Sequence, residues 1–128
     1  MSSQDDRPPV WIGHTTLATR DLSGTHDFMI KLGMRPIEAG DEFAVLELRG
    51  GTHLVILQSD SAEAGPASFD LMVEDIDVTY RELIEKFREQ GISPSEIEPG
   101  TIHRSFTVTS PAGHIVTFNS THVSDRPV

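Results

Sequence analysis

Glu47 is the polar exception in an apolar run, FAVLEL at Phe43 to Leu48. On a strand, Val45 and Glu47 share one face while Ala44, Leu46 and Leu48 share the other. A carboxylate there costs free energy unless it meets a partner, a metal ion or solvent. Asp70 poses the same question: in SFDLMVED, Phe69, Leu71 and Val73 alternate with Ser68, Asp70 and Met72. Asp70 is therefore expected on the face turned to a second sheet or a cavity. If Leu17 and Thr19 face a helix layer, parity puts His14, Thr16, Ala18 and Arg20 on the opposite face. Along Ile102 to Thr109, His103, Ser105, Thr107 and Thr109 share one face; in the last apolar run Thr117 lies between Ile115 and Asn119. Imidazoles and carboxylates gathered on a face supply acid, base or ligand chemistry, and hydroxyls supply hydrogen bonds. Plainer uses compete. Glu47 could pair with Arg49, Arg20 or Arg104, His14 could be a hydrogen-bonded strand histidine, and His53 and His114 adjoin turns.

The elements that must position these residues come in two copies. Ile12 to Arg20 alternates like a strand, Asp21 can cap, and Leu22, Thr25, Phe28, Met29 and Leu32 fall on one helical face before Gly33. The second copy runs from SFDLMVED through Asp75 or Asp77 to Ile76, Tyr80, Leu83, Ile84 and Phe87, then Gly91. After each helix come two apolar strand-like runs joined by a turn signal, Gly50-Gly51 in one and Ser110-Pro111-Ala112-Gly113 in the other. Arg35-Pro36 reads as the end of the first helix region. The pattern predicts an α+β fold of tandem βαβββ modules, one at about residues 10–58, a linker at about 59–67, and one at about 68–120. Met1 to Pro9 reads as a mobile lead-in and the tail from Ser120 as frayed. A two-residue loop at Gly50-Gly51 pairs Glu47 with Leu54, whereas a three-residue loop from Arg49 sets Glu47 opposite His53. Both registers stay open.

Composition narrows the partners. With 128 residues and 37% hydrophobic content the chain suffices for one domain. A net charge of -10, with no basic cluster, argues against nucleic acid and anionic membrane. The absence of cysteine excludes disulfides and thiolate metal sites. No apolar run approaches the ~20 residues of a membrane helix, and MSSQDDRPP lacks a signal-peptide layout. A soluble, cytoplasmic protein is expected.

Three stretches carry a family resemblance. HTTLATRDL at His14 to Leu22, FMIKLGM at the helix end and SPAGHIVTF near the C-terminus resemble the first-strand motif, helix end and terminal hairpin of the vicinal oxygen chelate superfamily. Its members include glyoxalase I, fosfomycin-resistance enzymes, bleomycin-binding proteins and extradiol dioxygenases. The resemblance spans about Trp11 to Asn119. It implies curved mixed sheets around a cavity, usually completed by a homodimer, with a divalent metal held by His14 and Glu47. Ser68 stands where the second module's histidine is expected, and Thr117 where the terminal-strand glutamate is expected. Hydroxyls are poor ligands for transition metals, so the resemblance leaves a non-standard site of His14 and Glu47 with Asp70, His103 or His53. Thr16 and Ser105 match positions that hold a phosphonate in the fosfomycin-resistance type.

Two functions follow. One is a metal-dependent enzyme in which the ion chelates vicinal oxygens of a small substrate, Glu47 acts as ligand or catalytic base, and Thr16, Asp70, His103, Ser105 and Thr117 contact substrate. The other is a metal-free binding protein that holds a small molecule through Trp11, Phe43 and Met72 with His14, Glu47 and Asp70.

Overall fold

The computed structural model describes residues 5–121, so the expectations for the first four residues and for the tail past residue 121 lie outside it, while Ser120, expected to fray, is held by its amide donating to the Arg104 carbonyl at 2.9 Å. The first module is β1 (His14–Thr19), α1 (Leu22–Leu32), β2 (Arg35–Ala39), β3 (Phe43–Glu47) and β4 (His53–Gln58). Its sheet runs β1-β4-β3-β2, with β1 parallel to β4 and the other pairs antiparallel. The second module contains β5 (Gly65–Pro66), β6 (Leu71–Val73), α2 (Ile76–Phe87), β7 (Ser105–Thr109) and β8 (His114–Ser120). There β8 pairs with β7 on one side and with β5 and β6, end to end, on the other.

Both helices form where their caps and stripes predict. Asp21 accepts from the Gly24 amide at 3.0 Å and Asp75 from the Val78 amide at 3.1 Å, each satisfying a free amide of the first turn. Asp75, not Asp77, is the second cap. Leu22, Thr25, Phe28, Met29 and Leu32 are buried on α1, and Ile76, Leu83 and Phe87 on α2. Gly33 (φ 123°) turns the chain off α1, a backbone region that favours glycine.

The modules are not equal copies. Residues Arg35 and Pro36, read from sequence as a helix end, begin an edge strand whose five residues are all exposed. Pro36 is tolerated because an edge strand has one unpaired side, and a bulge follows between Pro36 and Glu38. After α2 the corresponding stretch makes only an isolated bridge, Glu98 to Ser105, before β7. The first strand of the second module is interrupted: Gly65 and Pro66 pair with His114 and Ile115, then four residues pass before Leu71 meets Phe118. The linker thus contributes a strand of its own.

The two sheets meet along β1 and the β5–β6 edge. The Ser68 hydroxyl donates to the Thr16 carbonyl at 2.8 Å, and Arg20 Nε donates to the Ala62 carbonyl at 2.8 Å. On the other side both helices form one layer, with the rings of Phe28 and Phe87 5.4 Å apart. One apolar cluster runs from Leu17 and Leu54 in the first sheet to Phe106 and Phe118 in the second. The faces away from the helices stay open.

Candidate functional site

Parity fixes the open face of the first sheet. Leu17 and Thr19 are buried under the helix layer, while His14, Thr16 and Ala18 are exposed on the opposite side, as the alternation predicts. The β3–β4 loop settles the register left open above. It is the three-residue form, Arg49–Gly51, with Gly50 (φ 79°) and Gly51 (φ 86°) both left-handed, and it sets Glu47 opposite His53. His53 in turn faces His14 across β1 and β4, and Glu47 faces Arg35 across β3 and β2. His14, His53, Glu47 and Arg35 therefore form one row across four strands. Directly opposed residues share a face. The next row is Thr16, Val55, Val45 and Glu38, and the third is Ala18, Leu57 and Phe43.

The row has a definite electrostatic order. Arg35 donates from Nε at 2.9 Å, and also from Nη2, to the same Glu47 oxygen, Oε1. His53 Nε2 lies 3.4 Å from the other, Oε2. The Arg35 hydrogen bonds lower the Glu47 pKa, more than the opposing desolvation raises it, with smaller help from His53. Glu47 is thus an anion with a committed partner. The rings of His53 and His14 follow, centroids 5.5 Å apart. None of the arginines considered from sequence pairs with Glu47: Arg49 pairs with Glu74 at 2.8 Å, Arg104 with Asp77 at 3.0 Å, and Arg20 takes the Ala62 carbonyl.

His14 and Glu47, the two expected ligands, share a face but stand two strands apart, about 10 Å at the usual strand spacing. His53 fills the gap. Thr16 lies one pleat along β1 from His14. Ser105 and Thr117 occupy the open face of the second sheet, Ser105 opposite Asn119 and Thr117 opposite Thr107. Asp70 is exposed in the interruption between β5 and β6. His103 lies before β7, and its Nδ1 donates to the Ser120 carbonyl at 2.7 Å. The sequence reading missed Arg35, whose strand has no alternation, and named His53 only as one of three alternatives, with Asp70 and His103, beside His14 and Glu47. The Gly50-Gly51 loop was the one signal for His53. Trp11 rests beside that turn, where a Cβ on Gly50 would meet its Nε1 at 3.5 Å.

As arranged, these groups do not fit a resident divalent ion. Among the described residues no group of three or more His, Asp or Glu side chains is set to hold one. Glu47 is engaged by a guanidinium, and the Ser68 hydroxyl is bonded to the Thr16 carbonyl. Crevices of about 310 and 270 Å³ are lined by none of the four residues of this row. The first lies between α1 and the β7–β8 turn, lined by Phe28, Lys31 and Ser110; the second is lined by Arg20, Glu63 and His114.

No protein-family model matches the sequence, and no curated protein matches it. Solved structures do match the fold. A lactoylglutathione lyase from Agrobacterium tumefaciens is 18% identical, with 89% of this chain and 96% of that chain covered at a TM-score of 0.67. An antibiotic binding protein from a Streptomyces species is 16% identical over 87% and 95% of the two chains, TM-score 0.69. A glyoxalase/bleomycin resistance protein/dioxygenase from Alicyclobacillus acidocaldarius is 22% identical over 93% and 96%, TM-score 0.62. Among the described residues no helix is long and apolar enough to cross a membrane. With the two-module α+β topology, these likenesses show that the chain has the glyoxalase/bleomycin resistance/dioxygenase fold.

Proposed function

We propose that this protein binds a small molecule on its open face without a resident metal ion, the second of the two functions expected from sequence. The observation that carries this reading is the graded face of the first sheet. A polar row of His14, His53, Glu47 and Arg35 gives way to Val45 and Val55 and then to Phe43 and Leu57. Apolar surface with a few polar groups at one end is the usual makeup of a small-molecule site. The ligand body lies on Phe43 and Leu57, and its polar end meets His14 and Thr16. Ser105, Thr117, Asp70 and His103 contact it from the second sheet's side. Glu47, already paired, orients His53 and does not act as a base. The antibiotic binding protein among the structural neighbours supports binding as a use of this fold.

Phe43, Leu57 and Met72 are 41%, 42% and 52% exposed, and a second copy closing over the ligand on this face would form the homodimer that the resemblance implies. We place the protein in the reducing cytosol, given its lack of cysteine. The test is a thermal-shift and NMR screen of hydroxy-ketone, thiol-adduct, catechol-like and polycyclic compounds, with and without chelator, alongside a solution mass. Binding that survives chelation and weakens in Phe43→Ala and His14→Ala is expected. Binding abolished by chelation would overturn the metal-free reading; a monomeric mass at micromolar concentration would remove the dimer.

The metal-dependent enzyme keeps one observation in its favour: His14, His53 and Glu47 stand on adjacent strands in a single row. It needs Glu47 to leave Arg35.

A further inference from the structure

We propose that the crevice of about 270 Å³ between the linker and the β7–β8 turn binds a small zwitterion, an α-amino acid with a short apolar side chain. It is lined by Arg20, Ala62, Glu63, Ala64, Ala112 and His114, none of which belongs to the ligand face proposed above. A close approach holds the linker against the turn: a Cβ on Gly113 would lie 2.9 Å from the Ala64 Cβ, so glycine is needed there. His114 supplies the first contact. The Thr19 hydroxyl oxygen accepts the Asp21 amide at 3.1 Å, and the Thr25 hydroxyl, 2.8 Å away, has no other acceptor among the described residues and so donates to it as well. Both lone pairs of Thr19 are then used. Its own hydrogen goes to His114 Nε2 at 3.1 Å; sending it to the Asp21 carbonyl at 3.4 Å would leave Nε2–H as a third donor on one oxygen. His114 therefore carries its proton on Nδ1. Among the described residues the one sealed side-chain polar atom without a partner is His26 Nε2, so His114 Nδ1, which also has none, opens to the crevice that this 3% exposed residue lines.

The charges at the crevice complete the match. Arg20 Nε donates to the Ala62 carbonyl at 2.8 Å, which fixes the guanidinium and leaves its Nη groups without a partner among the described residues. Glu63 lines the same crevice, yet neither it nor Arg20 forms an ion pair with the other or with any described residue. A carboxylate meets the Arg20 fork and the His114 Nδ1–H, both donors, and an ammonium meets Glu63. A plain anion would face the Glu63 charge with nothing to offset it. Ala62, Ala64 and Ala112 offer methyl groups and no polar atom on their side chains, which fits a short apolar side chain.

The experiment is an NMR and calorimetric titration of the full chain with L-alanine and L-valine, set against propionate, which lacks the ammonium, and alanine amide, which lacks the carboxylate. The amino acids should bind at millimolar concentration, and loss of either charged end should weaken binding roughly tenfold or more, the scale of one charge-assisted hydrogen bond. Arg20→Gln should weaken alanine binding to the same degree. Glu63→Gln, an exposed linker change, should erase the preference for alanine over propionate. In the free protein, proton–nitrogen correlation of the His114 ring should show the Nδ1–H tautomer, and the Nδ1 signal should move on saturation with alanine. An Nε2–H tautomer would overturn the proposal, as would propionate bound as tightly as alanine, alanine binding that survives Arg20→Gln, or no binding of any of these probes. If Arg20→Gln loosens the linker, the Glu63→Gln comparison and the His114 tautomer still decide.

Discussion

His114 joins the two modules through a buried side chain whose neutral form is favoured. Its Nε2 lies 3.1 Å from the Thr19 hydroxyl, which also accepts the Asp21 amide at 3.1 Å and meets the Thr25 hydroxyl at 2.8 Å. Burial lowers the His114 pKa. The unfolded chain protonates this histidine near pH ~6.5, while the folded chain resists, so below that pH the unfolded state binds more protons. Stability is therefore full above the unfolded pKa and declines as pH falls through it. Urea midpoints at pH values above and below that pKa should differ in the wild type and differ less in His114→Gln. Equal wild-type midpoints would count against a neutral buried His114. Glu47 acts lower on the scale: its depressed pKa gives stability that is present above the normal carboxylate range and lost as pH falls below it. At this scale the sequence was partly legible. Parity placed His14 with Thr16 on one face of its strand and Glu47 with Val45 on one face of another, but no local pattern could link Glu47 to Arg35, which belongs to a different strand.

Elements were legible where one face is buried and obscure where none is. The stripes of α1 and α2 and the alternation of β1, β7 and β8 follow from a helix layer that covers one side of each sheet. Strand β2 has no buried residue and so no period to read. The β5–β6 strand is interrupted because its two halves pair with different ends of β8, a register that only tertiary contact fixes. Capping offers a test at this scale. Asp75→Ala leaves the Val78 amide without its acceptor and should cost about 1 kcal/mol, read as a lower urea midpoint at unchanged slope. Asp77→Ala should cost less, because its pair with Arg104 is half exposed and solvent takes over much of the interaction. A larger loss from Asp77 than from Asp75 would show that the Arg104 tie between α2 and β7 outweighs the cap.

The two modules share one core, and their stability should not divide. Phe87 of α2 packs its ring 5.4 Å from Phe28 of α1, and Lys31 Nζ of α1 lies 5.5 Å from the centre of the Phe87 ring. Lys31 also reaches Gln90 Oε1 at 2.5 Å, so the helix layer is tied at its end as well as its centre. Phe87 has no exposure, and its truncation to alanine leaves a cavity with a typical cost of about 3–5 kcal/mol. That is a large part of the ~5–15 kcal/mol by which domains are stable. If each module were an independent unit, Phe87→Ala would loosen α2 and β8 while β1, β3 and β4 kept their amide protection. The shared layer predicts otherwise: hydrogen exchange should accelerate in α1 and β4 together with α2 and β8, and thermal unfolding should stay a single transition at lower temperature. Phe87→Leu, which keeps most of the volume, should move both modules in the same direction by less. Selective exchange confined to the second module would show that the polar ties at Ser68 and His114, not the aromatic pair, hold the halves together.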